Sequence, residues 1–238
     1  MKNSEVLILQ GLRNEASRLP NKPSAIVGNE TLMERGFRLM NEVRRRTGVA
    51  LLVAAPKEDT DIYEAGAKAG IEVMPSISSN SWETAFGHLR DPLLKRGIKA
   101  IIDSNFVCRP FLTAETIERI IQTTAEKGIE RPLCGVIKKN AIVWDGQGNI
   151  IHGAGETTDG ISNPIVQLPG HLAYVLDATI LGKEDQLTDP TLIDFGMEWY
   201  EANHDIDTPA DVQKASITYA GLQALREQLS LIHISEPT

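Results

Sequence analysis

The chain has 238 residues, of which 42% are hydrophobic, and a formal net charge of −8. This length and apolar content suffice for one domain with one sizeable core. The negative charge argues against binding to nucleic acid or to an anionic membrane, because both partners select basic surfaces. Since the two cysteines are far apart and neither a secretory signal pattern nor a long apolar run is found, we expect a reduced, cytoplasmic protein.

The first predicted strand is the apolar run of residues 6–9, and a turn-prone loop of residues 11–23 follows it. In α/β folds, the loop after the carboxyl end of a strand is a usual place for a phosphate. The loop contains three cationic residues and no run of carboxylates to pair with them: Arg13, Arg18 and Lys22. We therefore expect these side chains to converge on a polyanion beside the turn at Gly11. The spacing matches neither a Walker A loop nor a Gly-x-Gly-x-x-Gly motif.

Helices and strands alternate in the segment that follows this loop. Thr31 and Glu34 fit a capping box, which predicts a helix that ends near three consecutive arginines. Apolar runs predict strands at 49–55, 71–74 and 99–103, and helical spacing predicts helices at 59–69, 82–93 and 113–127. This alternation is typical of βαβ units. We therefore predict an α/β fold with three layers, in which helices flank a mostly parallel sheet.

The segment from about residue 133 to 180 has a different pattern. Short apolar runs predict strands at 133–137, 141–144, 149–151 and 164–177, with a tight hairpin turn at Asp145-Gly146 and a glycine-rich loop at 152–163. We interpret this segment as a β-rich insertion within a single domain of residues 1–229. Residues 230–238 resemble translated sequencing adapter, so we expect a non-native tail there.

Three aspartates are candidate metal ligands. Asp103 ends a predicted parallel strand at the edge where ligands bind, although an aspartate that caps a turn explains it as well. Asp205 and Asp207 precede a helix that is predicted to begin after Thr208. In an extended segment, residues two apart point to the same side, so we expect two uncompensated carboxylates that a divalent cation would stabilise. Exposed acids before a helix are the alternative interpretation.

Two motifs in this chain resemble those of the sugar-acid cytidylyltransferases, the enzymes that activate acylneuraminate or 3-deoxy-manno-octulosonate with CTP. The loop of that family reads roughly Ala-Arg-x-x-Ser-x-Arg-Leu-Pro-x-Lys-Pro. This chain has Ala16 where the family usually has serine, and it matches the loop at six positions: Arg13, Arg18, Leu19, Pro20, Lys22 and Pro23. The family's second motif, Asp-Ile-Asp-Thr-Pro-x-Asp, matches residues 205–211.

The resemblance implies a nucleotide-diphospho-sugar transferase-like fold and the transfer of CMP from CTP to a small acidic sugar, with release of pyrophosphate. It also implies a Mg²⁺ ion on Asp205 and Asp207, with Asp103 as a third group, and a homodimer that the β-rich insertion helps to form. We expect the basic loop and the acid pair to face each other across one crevice, about a triphosphate apart.

The resemblance also implies roles for single residues. Arg13 and Lys22 would bind the β- and γ-phosphates and stabilise the departing pyrophosphate. The predicted catalytic residues are Arg13, Lys22 and Asp207. The predicted nucleotide-binding residues are Gly11, Arg13, Arg18 and Lys22.

Residues 106–113 depart from the forms that the family has at this place, so the choice of cytosine rests on analogy. Arg109 in this segment could contact the base or the acceptor carboxylate, but a solvated arginine before a helix is the commoner case. Two alternatives stay open. One is a nucleotidyltransferase of the same fold that uses another nucleotide, or a sugar phosphate or phosphonate acceptor. The other is a catalytically inactive domain that binds a nucleotide-sugar.

Overall fold

The computed structural model describes residues 1–78, 85–103, 105–139, 143–144, 147, 149–152, 165–167, 174–182, 190–198, 200–201 and 204–234. Its strands are β1 Val6–Gly11, β2 Ile26–Val27, β3 Glu30–Thr31, β4 Ala50–Ala55, β5 Val73–Pro75, β6 Ala100–Asp103, β7 Leu133–Lys139, β8 Val143–Trp144, β9 Ile150–His152, β10 Ile165–Gln167, β11 Tyr174–Asp177 and β12 Thr191–Asp194. Its α-helices are α1 Leu32–Thr47, α2 Thr60–Ala69, α3 Arg90–Lys95, α4 Ala114–Lys127 and α5 Pro209–Ile234.

Within the described residues, eight strands form one sheet in the order β10-β7-β11-β6-β1-β4-β5, with β12 beside β7. Strand β1 lies between β6 and β4 and is parallel to both, and β5 is parallel to β4. The chain leaves β1 toward β4 on one side and returns later to β6 on the other. In open α/β sheets such a switch point opens a crevice at the carboxyl ends of the strands. The end of β1 therefore marks the place for a site.

Strand β1 is the centre of the core because its side chains alternate between two apolar clusters. Val6 and Ile8 belong to a cluster with residues of α1, α2, α4 and α5. Leu7 and Leu9 belong to a second cluster, which contains Leu93 of α3. These four β1 residues are at most 2% exposed. Because β1 is covered by helices on both faces, its sequence is a continuous apolar run. The predicted three-layer α/β fold is therefore confirmed.

The β-rich segment completes the main sheet. Strand β11 pairs antiparallel with β6 and β7, and β10 pairs antiparallel with β7. Strands β8 and β9 form a separate antiparallel pair, while the predicted turn at Asp145-Gly146 lies outside the described residues. Strand β12, which the sequence analysis did not predict, runs parallel to β7. Three of the strands in the predicted insertion thus belong to the body of the domain.

Helix α5 begins after Thr208, as predicted. The backbone N–H of Thr208 donates to Asp211 Oδ2 at 2.9 Å, and the N–H of Asp211 donates to Thr208 Oγ1 at 3.3 Å, which is a capping box. The helix continues to Ile234 and so enters the segment that we predicted to be a non-native tail. In the part of the chain that the structure describes, no helix is long and apolar enough to cross a membrane.

The middle of α5 packs on the β2–β3 hairpin. The hydroxyl of Tyr219 donates to Asn29 Oδ1 at 3.2 Å, and the guanidinium of Arg35 lies 4.9 Å from the centre of the Tyr219 ring. Gly28 has a φ of +72°, and a Cβ at this position would lie 2.4 Å from the Tyr219 ring. Only glycine fits both constraints. These contacts join the β2–β3 hairpin, which follows the basic loop, to helix α5, which follows Asp205 and Asp207.

We expect Gly28→Ala to lower the free energy of unfolding more than Gly48→Ala does. Both glycines have positive φ, at +72° and +75°, so both variants lose about 1–2 kcal/mol to backbone strain. No atom lies within 4 Å of a Cβ at Gly48, whereas the Tyr219 ring blocks one at Gly28 and adds about 1–3 kcal/mol of overpacking. Urea unfolding measures the difference. Equal losses would contradict the described packing of α5.

Candidate functional site

A cavity of about 430 Å³ lies at the carboxyl end of β1. Its lining residues come from the basic loop, from the turn after β6 and from the segment before α5: Gly11, Leu12, Arg13, Ala16, Ser17, Arg18, Lys22, Pro23, Val107, Cys108 and Asp207. The two sequence motifs therefore meet at one crevice, and this part of the expected geometry is confirmed. All four predicted nucleotide-binding residues are among the lining residues.

The two motifs are in direct contact. Asp207 Oδ1 lies 2.7 Å from Lys22 Nζ, and Asp207 Oδ2 lies 2.9 Å from Arg18 Nη2. The expected separation by the width of a triphosphate is therefore wrong for this arrangement, because opposite charges close the gap. A triphosphate can lie between the motifs only if these ion pairs open.

Lys22 is more enclosed than Arg18, with a side chain that is 16% exposed against 68%. Its ammonium donates to Asp207 Oδ1 and to Cys108 Sγ, at 2.7 and 3.4 Å. Burial disfavours the charge, but Cys108 and Asp207 outweigh it and raise the pKa of Lys22. Because burial raises the pKa of the Cys108 thiol to about 11, that thiol is neutral at pH 7. The Asp207 carboxylate is therefore the anion that pairs with the Lys22 ammonium at pH 7.

Asp205 has a different role from Asp207. Among the described residues it is not part of the cavity lining; its Oδ2 lies 3.3 Å from Nη2 of Arg109, a side chain that is 0% exposed. Burial lowers the pKa of Arg109, and Asp205 opposes this effect. The interpretation of Arg109 as a solvated residue is thus wrong. The expectation of two uncompensated carboxylates is wrong as well, because each aspartate has a cationic partner.

The segment before α5 is fixed on the turn after β6. The backbone N–H of Ile206, a fully buried residue, donates to the carbonyl of Cys108 at 2.8 Å. His204 Nε2 lies 2.9 Å from Thr218 Oγ1, and the His204 ring packs edge-on against Phe111 at 4.7 Å between centroids. These contacts hold the backbone on both sides of Asp205. The orientation of Asp207 is therefore set by buried neighbours.

The basic loop is held from the opposite side by β4 and by Asp59, the residue before α2. The N–H of Leu12 donates to the carbonyl of Ala54 at 2.9 Å, and the N–H of Asn14 donates to Asp59 Oδ2 at 2.9 Å. Asn21 has a φ of 54°, and its N–H donates to the carbonyl of Asn14 at 2.9 Å, which closes the loop. Asparagine tolerates this left-handed conformation better than most residues. Sequence reasoning missed these anchors because they depend on long-range contacts.

A second cavity of about 290 Å³ adjoins the first and shares Gly11, Leu12 and Arg13 with it. Ser76, Ser78, Phe86, Asp103 and Asn105 are among its other lining residues. A Cβ at Gly11 would lie 2.6 Å from Cζ of Phe86, so a larger residue at this position would push the aromatic ring away. The absence of a side chain at Gly11 thus lets the Phe86 ring pack close to the backbone beside both cavities.

Asp103 lines the second cavity, and Asp207 lines the first. Burial raises the pKa of Asp103 to about 7, although a backbone hydrogen bond from Asn105 and the positive charge of Arg109 both act to lower it. In the described part of the chain, no group of three or more His, Cys, Asp and Glu residues could hold a metal ion. The three predicted metal ligands are therefore not brought together, because Asp103 belongs to another cavity and Asp205 is paired with Arg109.

The residues present nevertheless fit a Mg²⁺ ion of the kind that binds with a nucleotide. Such an ion takes one or two carboxylates from the protein and fills its remaining positions with water and substrate phosphate oxygens. Asp207 supplies a carboxylate at the wall of the first cavity, beside the cations of the basic loop. One protein ligand together with a triphosphate would satisfy this chemistry.

Solved structures share the fold of this chain. A CMP:2-keto-3-deoxy-manno-octonic acid synthetase in complex with CTP aligns with a TM-score of 0.62 at 15% identity, over 91% of this chain and 98% of that chain. A 4-diphosphocytidyl-2C-methyl-D-erythritol synthase from Anaerococcus prevotii aligns at 0.60 and 14%, over 91% and 99%. A cytidylyltransferase from Leptospira borgpetersenii aligns at 0.59 and 13%, over 98% of both chains.

These alignments span nearly the whole of each protein, so they establish the fold: it is the nucleotide-diphospho-sugar transferase-like fold of cytidylyltransferases. No family model matches the sequence, and a search of curated proteins finds no similar sequence. The structural likeness agrees with the resemblance that the two sequence motifs indicated.

We expect Asp205→Asn to destabilise the fold more than Asp207→Asn does. The first change leaves the buried Arg109 guanidinium without its carboxylate partner, which costs about 2–3 kcal/mol, less than a fully buried pair because Asp205 is 36% exposed. The second removes the ion pairs with Arg18, which is 68% exposed, and with Lys22, which is partly exposed and keeps Cys108 Sγ as an acceptor, so the cost is about 1 kcal/mol or less. The measurement is the free energy of unfolding in urea at pH 7. The reverse order would contradict the assignment of Asp205 to the scaffold.

Proposed function

We propose that the protein is a cytidylyltransferase that transfers CMP from CTP to a sugar acid and releases pyrophosphate. One observation carries the proposal: Arg13, Arg18, Lys22 and Asp207 line a single cavity at the carboxyl edge of the sheet. The cavity lies in a fold that the structural neighbours use for cytidylyl chemistry. The protein has a net charge of −8, yet three basic side chains cluster at this cavity. A triphosphate ligand would explain that cluster.

The proposed reaction cleaves the bond between the α- and β-phosphates. A hydroxyl oxygen of the acceptor attacks the α-phosphorus and gives its proton to water, and the electron pair of the broken bond leaves with pyrophosphate. Arg13 and Lys22 would bind the β- and γ-phosphates and neutralise the charge that develops there. The arginine fork binds two phosphate oxygens at once, whereas the lysine acts as a compact charge. Catalysis would then come mainly from positioning and electrostatics.

Mg²⁺ is part of this proposal, with Asp207 as its protein ligand in the first cavity. When bound, the ion would neutralise phosphate charge and orient the α-phosphate for attack. Asp103 lines the adjoining second cavity and stays a candidate ligand there, apart from Asp207. Asp205 is assigned to the support of Asp207, since its carboxylate is held by Arg109.

The second cavity suits the nucleoside. It adjoins the phosphate-binding loop at Gly11 and Arg13, and it offers the ring of Phe86 together with the hydroxyls of Ser76 and Ser78. An aromatic ring can stack on a base, and hydroxyls can contact its polar edge. A nucleotide that spans both cavities would place its α-phosphate at the residues that they share.

Fewer observations support the identity of the acceptor than support a nucleoside triphosphate. One structural neighbour is a 4-diphosphocytidyl-2C-methyl-D-erythritol synthase, and the acceptor in that name is no sugar acid. Its TM-score of 0.60 is nearly that of the 2-keto-3-deoxy-manno-octonic acid synthetase, 0.62. A nucleotidyltransferase that acts on a sugar phosphate or phosphonate is therefore the second candidate function. The homodimer and the cytoplasmic location stay predictions.

We expect the purified protein to release pyrophosphate from CTP and Mg²⁺ when a sugar acid is added, and Asp207→Ala to abolish the release. Loss of the carboxylate removes the metal ligand and the partner of Lys22, so a decrease of at least about 100-fold is expected. Asp91→Ala is the matched control, because the Asp91 side chain is 73% exposed and lies far along the sequence from both motifs.

The assay also separates the alternatives. Release with a sugar phosphate or phosphonate but with no sugar acid would favour the second candidate function. Binding of a nucleotide-sugar without pyrophosphate release from any acceptor would favour the inactive domain. Wild-type turnover in a folded Asp207→Ala variant would refute the role of Asp207.

A further inference from the structure

Asp207 has a cation on each of its two carboxylate oxygens. Lys22 Nζ lies 2.7 Å from Oδ1, and Arg18 Nη2 lies 2.9 Å from Oδ2. The carboxylate that would ligate a divalent ion is therefore engaged by the same side chains that would bind the phosphates. Binding of phosphate by Lys22 and Arg18 and binding of a metal ion by Asp207 therefore affect each other, although the two ligands occupy different positions.

The geometry disfavours a divalent cation on Asp207 in this arrangement. Mg²⁺ binds a carboxylate oxygen at about 2.0–2.1 Å, which would bring it close to an ammonium at 2.7 Å from the same oxygen. Like charges at such distances repel strongly, above all where the side chain of Lys22 is only 16% exposed. Asp207 can therefore accept the ion only after Lys22 or Arg18 has moved.

A triphosphate provides the reason for them to move. It offers more negative charge than one carboxylate and binds guanidinium in bidentate fashion. Arg18 is 68% exposed on its side chain, and Lys22 has a flexible four-carbon stem with Cys108 Sγ as a second hydrogen-bond acceptor at 3.4 Å. Both side chains can thus turn from Asp207 to phosphate oxygens while the loop backbone stays in place.

We propose that the Arg18–Asp207–Lys22 cluster makes a nucleoside triphosphate and a divalent cation bind cooperatively: the triphosphate takes the two cations, and the freed Asp207 carboxylate takes the ion. The inference rests on the proposed function and adds an order of binding to it. The triphosphate binds first, because Asp207 cannot bind the metal ion until phosphate has taken its two cations. Coupling of this kind is reciprocal, so the metal in turn strengthens triphosphate binding.

The test is a titration of the full chain with Mn²⁺ as the probe, without nucleotide, followed by the electron paramagnetic resonance signal of free Mn²⁺. Lys22→Met keeps the length of the side chain and removes its charge, so Asp207 gains an open oxygen. We expect Mn²⁺ to bind Lys22→Met about tenfold more tightly than it binds the wild-type protein, within the usual range of coupling factors. Arg18→Gln should act in the same direction.

Two further variants give the controls. Lys57→Met removes a positive charge from an exposed lysine that does not line the first cavity, and it should leave the Mn²⁺ affinity unchanged. The double variant Lys22→Met/Asp207→Asn should lose the gain, because the receiving carboxylate is gone. If Lys22→Met does not fold by thermal melting, Arg18→Gln carries the test, since its side chain is mostly exposed.

Unchanged or weaker Mn²⁺ binding in both single variants would overturn the inference, as would a gain that survives Asp207→Asn. The titration contains no nucleotide and no acceptor, so its outcome does not depend on the reaction. Failure of the proposed function would appear as absent pyrophosphate release, with the Mn²⁺ effect intact.

Discussion

The contact between Lys22 and Asp207 depends on another interaction, the ion pair of the buried Arg109 guanidinium with Asp205. Lys22 and Asp207 are 185 residues apart in the sequence, and the chain brings them together by fixing the backbone before α5 on the turn after β6. A buried guanidinium needs a carboxylate close by, so Arg109 determines where the segment lies. The position of Asp207 in the cavity follows from that pairing.

The distribution of charge explains how an acidic protein can hold a polyanion. Most of its carboxylates lie elsewhere, and the cavity gathers three cations on one loop after a buried strand. Within that cavity, Asp207 balances Lys22 and Arg18, which limits repulsion among the cations when only protein is present. The same balance gives the carboxylate two roles, as an internal counterion and as a ligand for a cation that arrives with phosphate.

The sequence allowed prediction of the elements whose signals are local. The apolar run of β1, the capping box of α1 and the Thr208 start of α5 all depend on neighbouring residues. Strand β12 was missed because it has only two apolar residues, Leu192 and Ile193, and it is stabilised by pairing with β7. Arg109 was misjudged for a similar reason: burial of a charge depends on a partner 96 residues away, which no local pattern reveals.

The central claim is that the cavity shared by the two motifs binds a nucleoside triphosphate through Lys22. Calorimetric titration of the wild-type protein and of Lys22→Met with CTP, ATP, GTP and UTP, each with Mg²⁺, tests it most directly. The account predicts that CTP binds the wild-type protein more tightly than the other three nucleotides, and that Lys22→Met weakens CTP binding at least about tenfold. Absence of binding for all four nucleotides, or CTP binding that is unaffected by the loss of Lys22, would contradict it.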